Sequence, residues 1–114
     1  MNNNLLWQPS ESKKTGSKMY EFLHRIAQKY KLPDREYATL HQWSVDNIGD
    51  FWSEIWDFCN IKASKKADTI IDDIHKMPGA IWFEGARLNF AENLLSRKDD
   101  HTALIFKGET SVHR

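Results

Sequence analysis

Apolar residues between Met19 and Cys59 recur at helical spacing in three stretches. Met19, Phe22, Leu23, Ile26, Ala27 and Tyr30 follow one another at steps of three and four, which predicts a helix with one apolar face. Ser17 can cap it, and it ends near Lys31, before Pro33. A second, shorter helix is predicted through Tyr37, Leu40 and either His41 or Trp43, with Asp34 as candidate N-cap and a turn-over at Trp43-Ser44-Val45. The third starts at Ser44 or Asp46 and carries the strongest pattern, Ile48, Phe51, Trp52, Ile55, Trp56 and Cys59. Phe58 lies off that stripe, so this helix must meet neighbours on more than one side.

Outside these helices the pattern weakens. Residues 1–16 are polar, with only Leu5, Leu6 and Trp7 as anchors, and read as an extended arm whose Trp7 either docks into a groove or belongs to a plain tail. From Ile61 to Met77 the signal is mixed: Thr69-Ile70-Ile71 favours a strand, while Ile70, Ile71 and Ile74 also fit a helix. Pro78-Gly79 breaks the chain, and Trp82-Phe83-Glu84-Gly85 reads as an aromatic turn. Asn89 followed by Glu92 is a capping-box variant, opening a helix through Ala91, Leu94 and Leu95 to about Arg97. Thr102 to Phe106 is β-branched and apolar, and Gly108 with Glu109 bends it towards a second strand, Thr110 to His113. The fold class expected is mainly α with a small C-terminal β-hairpin.

Composition narrows the function classes. A chain of 114 residues with 40% hydrophobic residues and five tryptophans is too apolar for disorder, and its rings must pack against something. Sixteen basic and sixteen acidic residues cancel, so no net charge draws nucleic acid or an anionic membrane, and neutrality eases self-association. Cys59 has no cysteine partner in the chain, which excludes an internal disulfide and fits the cytoplasm. The N-terminus lacks the basic and apolar regions of a signal peptide, and no apolar run approaches membrane-spanning length.

Candidate chemistry is thin. His24, His41, His75, His101 and His113 do not pair with one another, with Cys59 or with a carboxylate at metal-ligand spacing. Cys59, on the apolar face of the third helix, reads as a small buried hydrophobe. Lys13-Lys14-Thr15-Gly16 has one glycine where a phosphate loop needs several converging backbone N–H groups. Lys62, Lys65 and Lys66 are offset by Asp68, Asp72 and Asp73, which makes a solvated surface. Trp43, Phe51, Trp52, Trp56, Phe58, Trp82 and Phe83 could form a stacking platform, but helical spacing favours core packing. Arg87 and Glu109 suit a salt bridge or turn contact better than catalysis.

The run Trp82-Phe83-Glu84-Gly85-Ala86-Arg87-Leu88-Asn89-Phe90-Ala91-Glu92-Asn93-Leu94-Leu95 resembles the segment leading into the large domain of the acyl-CoA synthetases, the adenylate-forming ligases. Trp7-Gln8-Pro9, Met19 with Phe22, Tyr37 to Val45, Phe51-Trp52 and Trp56-Asp57-Phe58 follow in the same order, so the resemblance covers almost the whole chain. Trp7-Gln8-Pro9, Trp43-Ser44-Val45 and Trp56-Asp57-Phe58 tip it to the acetoacetyl-CoA synthetase type. It implies three parts: an arm 1–16, a helical cap region 17–97, and the truncated β-rich start of an AMP-binding domain at 98–114. It also implies a parent using ATP, Mg²⁺ and coenzyme A, with its reactive residues downstream. No catalytic, cofactor-binding or metal residue is therefore assigned here, and Trp82, Phe83, Leu88, Asn89, Ala91 and Asn93 would fix the chain onto the large domain. The partners so implied are the rest of the same polypeptide and, for the isolated piece, a second copy; nucleic acid and membrane are not. The competing expectation is a free-standing helical protein-interaction module, and a stop codon after Arg114 would favour it.

Overall fold

Helix α2 (Lys18–Tyr30) forms where the apolar spacing places it, beginning with Ser17, whose hydroxyl accepts from the Tyr20 N–H, and ending with Lys31 in the left-handed region at φ 54°. The computed structural model describes residues 6–109 and 112–113. Besides α2 it contains α1 (Glu11–Thr15), α3 (Tyr37–Asp46), α4 (Ile48–Phe58), β1 (Thr69–Ile71), β2 (Trp82–Glu84), α5 (Phe90–Leu94), β3 (Phe106–Lys107) and β4 (Val112–His113). The architecture is therefore mainly helical with a small C-terminal hairpin, β3 with β4, as the pattern predicts. A second antiparallel pair, β1 with β2, sits inside the region read as helical and mixed.

The core lies among α2, α3 and α4. Phe22, Leu23 and Ile26 of α2 meet Leu40 and Trp43 of α3, and Tyr30, Leu32, Phe51, Ile55 and Phe58 close around them. Phe22 takes Phe58 edge-on at 5.1 Å and Phe51 at 6.1 Å, while Tyr30 lies 4.5 Å from Trp43. Each such side chain removed from water contributes on the order of 1.5–3 kcal/mol. Helix α4 is two-sided, as Phe58 foretells. Phe51, Ile55 and Phe58 face the core, while Trp52 and Trp56 meet Trp82 and Phe83 of the hairpin at 6.3 and 4.7 Å.

Several boundaries differ from the sequence reading. The arm is not extended throughout: Glu11–Thr15 make a helical turn, held by the Lys14–Glu11 ion pair at 2.7 Å and by Thr15 Oγ1 donating to the Glu11 carbonyl. Among the described residues nothing covers Trp7, which is 72% exposed, and Leu5 lies outside them. Asp34 does not cap α3 directly. Its carboxylate accepts from the Glu36 N–H, an Asx turn that sets Glu36 as the boundary residue. Nor does α3 stop at Trp43-Ser44-Val45; it runs to Asp46, and Asn47 separates it from α4 while its side-chain amide donates to the Trp43 carbonyl.

Thr69-Ile70-Ile71 is a strand because it has a partner: Thr69 pairs with Glu84 and Ile71 with Trp82. The predicted aromatic turn is thus a strand first, and the turn moves one residue on, with Ala86 N–H donating to the Phe83 carbonyl and Gly85 at φ 79°. Phe83 itself sits at φ 49°, a strained value for a bulky residue that breaks the pleat, so that Trp82 and Phe83, adjacent in sequence, both reach α4. Asn89 caps α5 by accepting from the Glu92 N–H, but α5 ends at Leu94, short of Arg97. In the C-terminal hairpin only Phe106 of the predicted Thr102–Phe106 strand is paired, and the strand runs one residue past it to Lys107, those two residues facing His113 and Val112 of β4; Thr110 and Ser111 lie outside the described residues.

Candidate functional site

Titratable side chains converge most strongly at Glu54, on the core-facing side of α4. Glu54 is 2% exposed, and its carboxylate takes the Arg25 guanidinium at 3.1 Å, the Lys29 ammonium, and the Tyr30 hydroxyl at 3.2 Å. Burial raises its pKa, but the Lys29 and Tyr30 hydrogen bonds and the two cationic charges outweigh burial, leaving it below the usual carboxylate range. Lys29 is pushed up by its bond to Glu54, and Tyr30 by burial and then by the Glu54 charge. The group ties α2 to α4, with both carboxylate oxygens engaged, and so clamps the two helices together.

A second organising carboxylate is Asp72, at the base of the ten-residue loop between β1 and β2. It accepts from Lys76 Nζ, from the Ile81 N–H at 2.8 Å and from the Asp73 N–H at 2.8 Å, which hold it at about 2. The loop so tied presents Ile74 and Met77, 60% and 96% exposed. Ile48, Ile71, Ile74, Met77, Ala80 and Trp82 surround an apolar groove of about 340 Å³ beside it.

Asn93 makes the third constellation. Its amide accepts from the Lys62 N–H at 2.7 Å and donates to the Lys62 carbonyl at 2.9 Å, pairing like a strand residue, and it also donates to the Asn89 carbonyl. Ser64 N–H donates to the Arg87 carbonyl and Arg87 N–H to that of Lys65. The segment Arg87 to Asn93 is therefore bound to the stretch leading out of α4. Of the residues read as fixing the chain to a larger body, Asn89 and Asn93 are joined here within the chain, whereas Leu88 stays 50% exposed; its neighbour Phe90, outside that set, is 78% exposed.

The remaining candidates stay apart. His24 stacks on Tyr20 and His41 on Tyr37, while the backbone N–H groups of His75 and His101 donate to Asp73 and Asp99. Among the described residues no group of three His, Cys, Asp or Glu side chains could hold a metal ion, and no helix is long and apolar enough to cross a membrane. Cys59 is exposed, contrary to the reading from its stripe, because it follows the last turn of α4 where no element covers it. Lys65 is paired with Asp68 at 2.6 Å. Arg87 contributes its backbone to the ladder, and Glu109 is exposed at the terminal bend. Of the aromatic set, Trp43 is buried and Phe51 and Phe58 line the core, but Trp52 and Trp82 remain about two fifths exposed, at 42% and 38%.

Sequence reasoning missed Glu54, Asp72 and the pairing role of Asn93. Glu54 left a trace: it lies three residues after Phe51 and four before Phe58, a charge on an apolar face, and Arg25 and Lys29 flank Ile26 on α2. Asp72 left only its spacing of four from Lys76, since its other partners are the backbone N–H groups of Asp73 and Ile81.

Comparison with known proteins places this arrangement. The acetyl-coenzyme A synthetase N-terminus family matches residues 37–94. A malonamoyl-CoA synthetase of Penicillium aethiopicum is 45% identical over 95 residues, covering 82% of this chain and 13% of that protein. Acetoacetyl-CoA synthetases of Danio rerio and Rhizobium meliloti are 34% and 36% identical over 107 residues each, covering 93% and 94% of this chain and 16% of theirs. A solved acetoacetyl-CoA synthetase from Streptomyces lividans superposes with a TM-score of 0.71 at 34% identity, covering 78% of this chain and 14% of that one. The chain thus spans 13–16% of the length of these relatives.

Proposed function

Because the chain belongs to the acetyl-coenzyme A synthetase N-terminus family, we propose that it is the structural N-terminal part of a cytoplasmic acid–thiol ligase. That ligase joins acetoacetate to coenzyme A and cleaves ATP to AMP and diphosphate. The observation that carries this reading is the superposition on the Streptomyces lividans acetoacetyl-CoA synthetase, together with relatives of that name in animals and bacteria. A magnesium–nucleotide complex needs converging cations, backbone donors and carboxylates. What supports placing that complex in the rest of the ligase is that the charges drawn together here engage one another: Glu54 with Arg25 and Lys29, Asp72 with Lys76, Lys65 with Asp68 and Lys14 with Glu11. No chemical step is assigned to these residues. Their part is to build and fix one face of the enzyme.

The Penicillium relative favours a second reading of the acid. Malonamate and acetoacetate share a carboxylate and a carbonyl two carbons away, and differ in an amide nitrogen where the other has a methyl group. A pocket that hydrogen-bonds the amide discriminates against the methyl far more than an apolar pocket does the reverse. The test is to supply the full-length ligase with ATP, Mg²⁺, coenzyme A and, in turn, acetoacetate, malonamate and acetate. The acyl-CoA products are then identified by mass. Acetoacetyl-CoA as the main product is expected; malonamoyl-CoA alone moves the assignment to the second acid, and acetyl-CoA alone overturns both. The 114-residue chain by itself is expected to form none of them.

A further inference from the structure

We propose that the hollow between α4 and the β1–β2 pair is a binding site for a small zwitterion, an α-amino acid with an aliphatic side chain. The proposal holds whatever acid the ligase activates.

The hollow encloses about 170 Å³ and is walled by three elements. Helix α4 gives it Ser53, Trp56 and Asp57, the stretch running into β1 gives Lys66 and Ile70, and β2 gives Phe83. Trp56 and Phe83 stand 4.7 Å apart at 31°, and with Ile70 they make a half-buried apolar floor. Phe83 holds its ring there from a backbone at φ 49°, a costly conformation for a bulky residue, which persists only where the surroundings fix it. The floor is therefore preformed.

The polar groups around this floor are open. Among the described residues the Ser53 hydroxyl, the Asp57 carboxylate and the Lys66 ammonium have no hydrogen-bond or ion-pair partner, whereas the neighbouring Lys65 is held by Asp68 at 2.6 Å. Asp57 and Lys66 thus face one hollow with opposite charges and do not pair with each other. That arrangement selects by charge. An anion drawn to Lys66 meets the Asp57 carboxylate, and a cation drawn to Asp57 meets the Lys66 ammonium, so a ligand of a single sign is attracted at one end and repelled at the other. A zwitterion satisfies both: its ammonium donates to Asp57, and its carboxylate accepts from Lys66 and from the Ser53 hydroxyl. Size narrows the class further. The hollow is smaller than the pockets of about 300–1,000 Å³ that enclose drug-sized ligands, which rules out a whole nucleotide or coenzyme A and leaves room for a single amino acid. An aliphatic side chain suits the floor of Trp56, Ile70 and Phe83.

The test is equilibrium dialysis of labelled leucine against the full-length ligase and its Asp57→Asn and Lys66→Gln variants. Saturable binding is expected, weakened about tenfold or more in each variant, because each loses a charge-assisted hydrogen bond. Neither 3-methylbutylamine, which has the cation alone, nor 4-methylpentanoate, which has the anion alone, is expected to displace the leucine. Both substituted side chains are exposed and stand on different walls, so circular dichroism checks each fold and either variant suffices for the test. Absence of saturable binding up to about 10 mM leucine overturns the proposal. Equal binding by the parent and both variants places leucine elsewhere and also overturns it, as does displacement by 4-methylpentanoate, which marks a plain anion site. Acyl-CoA formation is read separately, so failure of leucine to bind leaves the ligase reading standing.

Discussion

Glu54 shows how one side chain can set the relation between two helices. A carboxylate at 2% exposure is costly unless its charge is matched, and here two cations and a phenol match it. Arg25 and Lys29 keep 40% and 55% of their side chains in water, which screens the pairs and lets both cations return to solvent if the partner is lost. Glu54→Gln is therefore expected to lower the stability of the chain by about 1–2 kcal/mol, read as a shift in the urea midpoint. The pH dependence follows from the directions of the shifts. Glu54 and Asp72 have folded pKa values below their unfolded ones, so fewer protons are bound in the folded state, and their stabilisation is present above about pH 4 and lost as pH falls below it, for Asp72 towards about 2. Lys29 and Tyr30 are raised, so their share is present at neutral pH and lost as pH rises beyond about 10. Thermal melting should be nearly flat from pH 5 to 9 as far as these groups matter, and Asp72→Asn should flatten the acid limb; an unchanged acid limb in that variant counts against the role given to Asp72.

Among the elements, α5 and the β1–β2 hairpin are short and depend on contacts outside themselves. A five-residue helix cannot persist on propensity alone, since nucleating a helix costs more than so few bonds return. Asn89 supplies the missing start by accepting from the Glu92 N–H, and Asn93 fastens the next turn to Lys62. Asn89→Ala is expected to cost about 1 kcal/mol and Asn93→Leu to release the segment, seen as faster hydrogen exchange at Lys62 and Asn93 than in the parent chain. The same elements show why the sequence was legible in one place and opaque in another. Helix α2 was readable from Ser17 to Lys31 because its cap, its apolar face and its stop are all local. The strand at Thr69–Ile71 stayed open between strand and helix, because three residues carry no period, and what selects a strand there is pairing with Trp82–Glu84, more than ten residues away.

At the scale of the molecule, the radius of gyration is 19.3 Å, against about 13 Å for a compact chain of this length. The three-helix core accounts for only part of the chain, and the hairpins and α5 spread from it across 53 × 48 × 29 Å. Leu94, Leu95, Leu104 and Ile105 extend the exposed apolar surface beyond the groove at Met77. With no net charge to keep copies apart, the isolated chain is expected to associate with itself. Light scattering across a concentration series should show growth in mean mass, and a strict monomer at high concentration would falsify this.

The sequence by itself determined the helices α2 and α4, the capping residues Ser17 and Asn89, and the family, because these depend on periodicity, on bonds within four residues and on motifs in fixed order. Tertiary structure alone decided that Glu54 is a buried clamp, that Trp82 and Phe83 form a strand against α4, and that Cys59 faces solvent. Each of those depends on what stands opposite the residue in space, and no local pattern encodes an environment supplied by a distant part of the chain.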